Sequence, residues 1–185
     1  MPKMKPIIGV VKWILMIWGA VSLAAVIGMA CIAGYSLGPG NREKIEKASP
    51  PDVRFVLNRC QLGDKRIEKV VHSYESARSF TGDHLDAYEI QISHLETEGL
   101  TSNMSNPSGC WYRGDQLPKI LDDTMRSVGA FVGEIPWFPN EAELRSEKMY
   151  VFPTSIYCHG ISPSAADLIF VRPSDKMIFY ISFKT

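Results

Sequence analysis

The segment Ser79 to Tyr88, SFTGDHLDAY, gathers the densest set of chemically capable side chains in the chain: a serine, a threonine, a histidine, two aspartates and a tyrosine. By type these could supply a nucleophile, a base and an acid. Other residues raise similar questions. Cys158-His159 offers a thiol beside an imidazole, but neighbours on a strand point to opposite faces, so the two should not meet. Asp122-Asp123 resembles a carboxylate pair, yet adjacent helix positions diverge in direction, and solvated charges are the expectation. His72, His94 and His159 could ligate a metal if the chain brought them together, and two imidazoles alone make half of a tetrahedral site. A metal-dependent enzyme or hydrolase using these three histidines is the alternative function. The chain holds no G-x-S-x-G elbow, phosphate-cradling glycine loop or H-E-x-x-H helix. No catalytic residue and no cofactor is therefore assigned, and the expected activity is binding rather than catalysis.

The elements that would position these residues begin with a membrane segment. Trp13 to Tyr35, WILMIWGAVSLAAVIGMACIAGY, carries no charged residue. A bilayer core needs about 20 apolar residues at 1.5 Å each, and a signal-peptide core holds only about 7–15. Trp13, Trp18 and Tyr35 lie toward its ends, as interfacial aromatics do. Cys31 is a weak candidate for lipid-modified cleavage, because Gly28 stands where a bulky aliphatic residue belongs and the apolar run continues beyond it. An uncleaved signal anchor is expected, with residues 1–12 as a cytoplasmic tail and 13–35 as a single-pass helix. Lys3, Lys5 and Lys12 lie on one side, and Arg42, Lys44 and Lys47 on the other. The amino terminus adds a charge to the first side, which favours an inner-membrane protein with its C-terminal domain in the periplasm. Ala20, Ala24 and Gly28 recur at every fourth position, the small-residue pattern of packed membrane helices, so self-association is a secondary expectation.

Residues 36–52 are expected to be a linker, rich in glycine, proline and charge, and residues 53–185 one soluble domain. Once Lys3, Lys5 and Lys12 are set aside, the chain holds 17 basic and 20 acidic residues, a balance that argues against nucleic acid. Period-two alternation predicts strands over Val53–Cys60, Ile67–Phe80 and Asp86–Leu95. Pairing the last two around a Gly82-Asp83-His84 turn sets Tyr74 opposite Ile92 and His72 opposite His94, with facing Cβ atoms about 5 Å apart. On this reading SFTGDHLDAY is the polar tip of a hairpin.

Leu100–Gly114 reads as a long loop, with a glycosylation acceptor pattern at Asn103-Met104-Ser105. Helical spacing over Asp115–Val132, with Asp115 as N-cap, puts Leu117, Ile120, Leu121, Thr124, Val128 and Phe131 on one face. Asn140-Glu141-Ala142-Glu143 has the form of a capped short helix. Strands follow over Lys148–Cys158, Ala166–Arg172 and Met177–Lys184.

The expected fold class is α+β: one antiparallel sheet packed on a long helix, in the order βββ-α-α-βββ, after the transmembrane helix. Trp111, Tyr112, Trp137 and Phe138 are the expected contacts for another protein, and a disulfide could link two of Cys60, Cys110 and Cys158. The function these features suggest is a membrane-anchored envelope protein whose extracytoplasmic domain binds a protein, as a complex subunit or an immunity-type inhibitor.

Overall fold

The apolar run forms a single helix, α1 (Lys5–Leu37), in a computed structural model that describes residues 5–38, 41–95, 100, 110–160 and 162–185. Its 33 residues span about 50 Å at 1.5 Å per residue. Gly9–Gly34 is long and apolar enough to cross a membrane, and none of that span is buried in the protein. The glycosylation pattern at Asn103 and residues 1–4 of the expected tail fall outside the described residues.

Residues 43–185 form a separate unit. Its elements are β1 (Lys44–Ile45), α2 (Pro50–Arg59), a 3₁₀ turn at Asp64–Arg66, β2 (Ile67–Glu75), β3 (His84–Ile92) and β4 (Tyr112–Arg113). They continue with α3 (Lys119–Val132), α4 (Glu141–Leu144), β5 (Tyr150–His159), β6 (Ser162–Arg172) and β7 (Met177–Lys184). The mixed helix and antiparallel-sheet class holds, but the expected element order does not. Two short strands are added, and the first expected strand is a helix.

That helix, α2, replaces both the Val53–Cys60 strand and the end of the linker. Ser49 donates its backbone N–H to Asp52 at 2.8 Å, and Pro50 and Pro51 occupy first-turn positions where a missing N–H costs little. Val53, Val56, Leu57 and Cys60 then share one face and are all buried. The linker is shorter than expected for a second reason: Lys44 and Ile45 pair with Glu75 and Tyr74 as β1.

The seven strands run β1-β2-β3-β7-β6-β5-β4, antiparallel throughout, so the last strand lies at the centre. Helices cover both faces. Leu121, Met125, Val128 and Val132 of α3 pack with Ala87, Leu168, Phe179, Ile181 and Phe183. On the other face α2 packs with Tyr88, Ile90, Ile92, Ile169, Ile178 and Tyr180. Each large side chain buried this way contributes about 1.5–3 kcal/mol relative to exposure. Cover on two faces explains why β7 is buried from Met177 to Phe183 with no polar stripe along it.

The β2–β3 register departs from the expected hairpin. Tyr74 pairs with Ala87 and His72 with Glu89, not with Ile92 and His94. An irregularity between Val70 and His72 turns Val70 toward the α2 side, away from the face that holds Tyr74. The connection is longer than three residues because Ser76 to Asp83 all lie outside the ladder.

The helix α3 starts at Lys119, later than expected, because Asp115 is held by Arg113 at 2.6 and 2.9 Å and Pro118 becomes the N-cap. Ile120, expected on the inner face, is 47% exposed. Asp122 and Asp123 are not simply solvated. Asp122 bonds Arg145, which also holds Glu141 at 2.8 Å, and Lys119 reaches Asp123 at 3.0 Å. α4 has the expected cap, with Glu143 N–H donating to Asn140 at 3.0 Å.

Candidate functional site

The cross-strand register assembles a polar band on the α2 face of the sheet, at the end nearest the start of β3. Asp86, Ser182, Asp167 and Ser155 are successive partners across β3, β7, β6 and β5. In the next row out, His84, Lys184, Ala165 and Tyr157 are aligned in the same way. One step inward lie Tyr88 and Tyr180, stacked with ring centroids 5.7 Å apart in the core beneath α2. The groove over the two outer rows has a volume of about 430 Å³.

Two hydrogen-bonded groups occupy this band. In the first, Ser155 and Tyr180 donate to Asp167 at 3.0 and 3.2 Å. Arg59, from the last turn of α2, approaches the same carboxylate at 3.4 Å and the Tyr180 hydroxyl at 3.5 Å. Burial, with the Asp167 charge beside it, pushes the Tyr180 phenol up to about 12, so it stays a donor.

In the second group, His84 Nε2 lies 3.0 Å from Ser182 Oγ, while its Nδ1 lies 2.8 Å from the Gly82 carbonyl oxygen. The turn that presents this carbonyl is fixed by Asp83, which accepts from Ser79 and Thr81 at 2.9 and 2.6 Å, with Gly82 at φ +82°. Those bonds hold the Asp83 carboxyl below its ordinary range. Within SFTGDHLDAY, then, Ser79, Thr81 and Asp83 build a turn, whereas His84 is the first residue of β3 and reaches the groove. Asp86, 8% exposed, pairs with Arg78 at 2.5 Å, while its Oδ1 is buried with no hydrogen-bond partner among the described residues. Burial raises the Asp86 carboxyl above its usual range, against the pull of Arg78.

The residues singled out by sequence are scattered by comparison. His72 sits between Glu46 at 3.0 Å and Glu89 at 3.8 Å and stacks on Trp137 at 5.4 Å. His159 is exposed at the end of β5, and three strands separate β2 from β5. His72, His94 and His159 do not converge, and no group of three or more potential ligands among the described residues could hold a metal ion.

Trp111 is buried against Phe152 at 5.2 Å, and Phe138 is buried edge-on to Phe170 and Phe179. Both close the core and offer no contact surface. Trp137 and Tyr112 are half-buried. No disulfide joins the cysteines among the described residues: Cys60 lies in the α2 core, its thiol pushed up to about 12 by burial, and Cys158 is exposed.

Tyr112 lines a second groove, of about 360 Å³, between α3 and β5, with Pro118, Ile120, Pro153 and Ile156. The Thr154 hydroxyl in this groove is buried without a hydrogen-bond partner among the described residues. Strand β4 pairs with β5 only at Tyr150 and Val151, leaving the outer edge of β5 beyond them without a strand partner among the described residues.

His84, Ser155, Asp167, Tyr180 and Ser182 carried no local motif. The available signal was a polar residue inside an apolar strand, as Ser182 is in MIFYISFK and Asp167 in SPSAADLIFVR. No protein-family model matches the chain, and no curated protein or solved structure is significantly similar to it.

Proposed function

We propose that the chain is a single-pass envelope protein, anchored in the inner membrane by α1, with residues 43–185 in the periplasm binding another protein. The observation that carries the anchor is the Gly9–Gly34 span, which holds Lys12 as its one charged residue, is long and apolar enough to cross a membrane, and has no residue buried in the protein. Residues 43–185 supply two buried clusters of their own, as a displayed domain requires.

The α3–β5 groove supports the binding reading. Its occupant is an extended segment of the partner, added to the edge of β5 that has no strand partner among the described residues, with side chains seated over Ile120 and Ile156. Irregularities at Pro153/Ser155 and Tyr157/Cys158 keep the pairable stretch short, so side-chain contacts must supply much of the affinity. A complex subunit or an immunity-type inhibitor would use the domain in this way, and confinement to one membrane raises the effective concentration of both partners. Self-association of α1 through Ala20, Ala24 and Gly28 is part of the same reading. Leucine at Ala24 and Gly28 should abolish it, and an unchanged detergent-solubilised assembly would count against it.

Two measurements test the proposal. A membrane-impermeant maleimide should label Cys158 in spheroplasts, and protection of that thiol until lysis would reverse the topology. A photo-crosslinking residue at Ile120 should give one discrete adduct in native membranes, and the same residue at Lys65 none. Adducts that are equal at both positions, or missing from both, would refute the groove as the contact surface.

A further inference from the structure

We propose that Ser182 is an activated nucleophile, with His84 as its general base, and that the groove above them admits a small carboxylic ester. This activity is separate from partner binding and does not depend on it.

The proton positions follow from the acceptors. The Gly82 carbonyl oxygen can only accept, so the proton of a neutral His84 ring sits on Nδ1 and is donated at 2.8 Å. Nε2 is then a bare lone pair 3.0 Å from Ser182 Oγ, and the hydroxyl must be the donor. A serine that donates to an imidazole held in one tautomer by a third group is the arrangement that activates a hydroxyl for acyl transfer. Here a backbone carbonyl does the holding, itself aimed by the Ser79–Asp83 turn.

The surroundings suit the reaction. Ser182 is 6% exposed and lines the groove, so a reactant meets it beside Tyr157, Ser164, Ala165 and Thr185. Lys184 lines the same groove, and Arg59 lies beside Asp167, the direct cross-strand partner of Ser182. Arg59 and Arg78 pair with Asp167 and Asp86, the two carboxylates that flank Ser182, and Lys184, which also donates to Thr81 O at 2.5 Å, brings a positive charge to the groove.

The steps balance. Ser182 Oγ adds to the ester carbonyl carbon as its proton passes to His84 Nε2. The tetrahedral adduct collapses, the ester C–O bond breaks, and Nε2–H protonates the departing alkoxide. Water, giving a proton to Nε2, adds to the acyl carbon; the bond from that carbon to Ser182 Oγ breaks, and Nε2–H returns the proton to Oγ as the acid leaves.

The test uses the full chain in detergent micelles with a fluorophosphonate probe, the adduct being mapped by mass spectrometry. Labelling of Ser182 is expected in the folded protein and not in urea. It should vanish in Ser182→Ala and fall by about 100-fold or more in His84→Gln. The native-against-urea comparison needs no variant, so a misfolded mutant leaves the question answerable. A folded wild type that gives no Ser182 adduct, or a folded His84→Gln variant that labels as fast as wild type, would overturn the proposal.

Discussion

Gly114 closes β4 against the end of α4, and replacing it with alanine is the sharpest test of how this part of the domain is packed. A Cβ built there meets Leu144 O at 2.3 Å, Ser146 O at 2.6 Å and Arg145 C at 3.2 Å. All three are backbone atoms, so no side chain can swing aside. Carbon–oxygen contacts normally lie near 3.3–3.6 Å, so the chains must part by about 1 Å. Parting them strains the 2.8 Å bond from Gly114 N–H to Met149 O, which helps to seat β4. Overpacking costs about 1–3 kcal/mol and a lost hydrogen bond about 0.5–1.5, so Gly114→Ala should destabilise the domain by about 2–4 kcal/mol. For a domain of this size that corresponds to a fall in Tm of roughly 10 °C. Denaturant unfolding of the full chain in micelles, followed by tryptophan fluorescence, reads the change, and the neighbouring Trp111 gives a local signal. Stability within about 0.5 kcal/mol of wild type would mean that β4 and α4 are not in contact as described.

Two further outcomes follow from the core and the polar band. Leu57→Ala should cost about 2–5 kcal/mol, because Leu57 is fully buried on α2, and a cost below about 1 kcal/mol would show that α2 does not pack on the sheet. Asp86 should make stability fall with rising pH. Burial raises its folded-state pKa above the ordinary 3.8, so the folded state binds its proton more tightly, and that stabilisation, complete below 3.8, is lost as pH climbs through the folded value. Asp86→Asn removes the effect, and pH–stability curves for the two proteins should diverge above about pH 4, with the variant losing less. Parallel curves would refute the assignment.

Much of the fold was legible where one physical cause dominated the local sequence. The charge-free run made α1 plain, and the Asn140–Glu143 box announced α4. Segment 53–60 was ambiguous because Val53, Phe55 and Leu57 alternate while Val53, Val56, Leu57 and Cys60 follow helical spacing. The deciding signal was the start, Ser49-Pro50-Pro51-Asp52, which is a helix cap as well as a linker composition. The β2–β3 register could not be read because it depends on bulges and on a sheet covered on both faces, where apolar residues no longer mark one side. Nor does any local pattern reveal that β7 enters between β3 and β6. That insertion is what carries Ser182 to His84, 98 positions away in sequence, so the polar band stays hidden until the sheet order is known.

The anchor is most directly tested by alkaline carbonate extraction of membranes that contain the full chain. If Gly9–Gly34, which is long and apolar enough to cross a membrane, is inserted as proposed, the protein should remain in the pellet and enter solution only with detergent. Recovery of the intact chain in the carbonate supernatant as a soluble monomer would contradict the account.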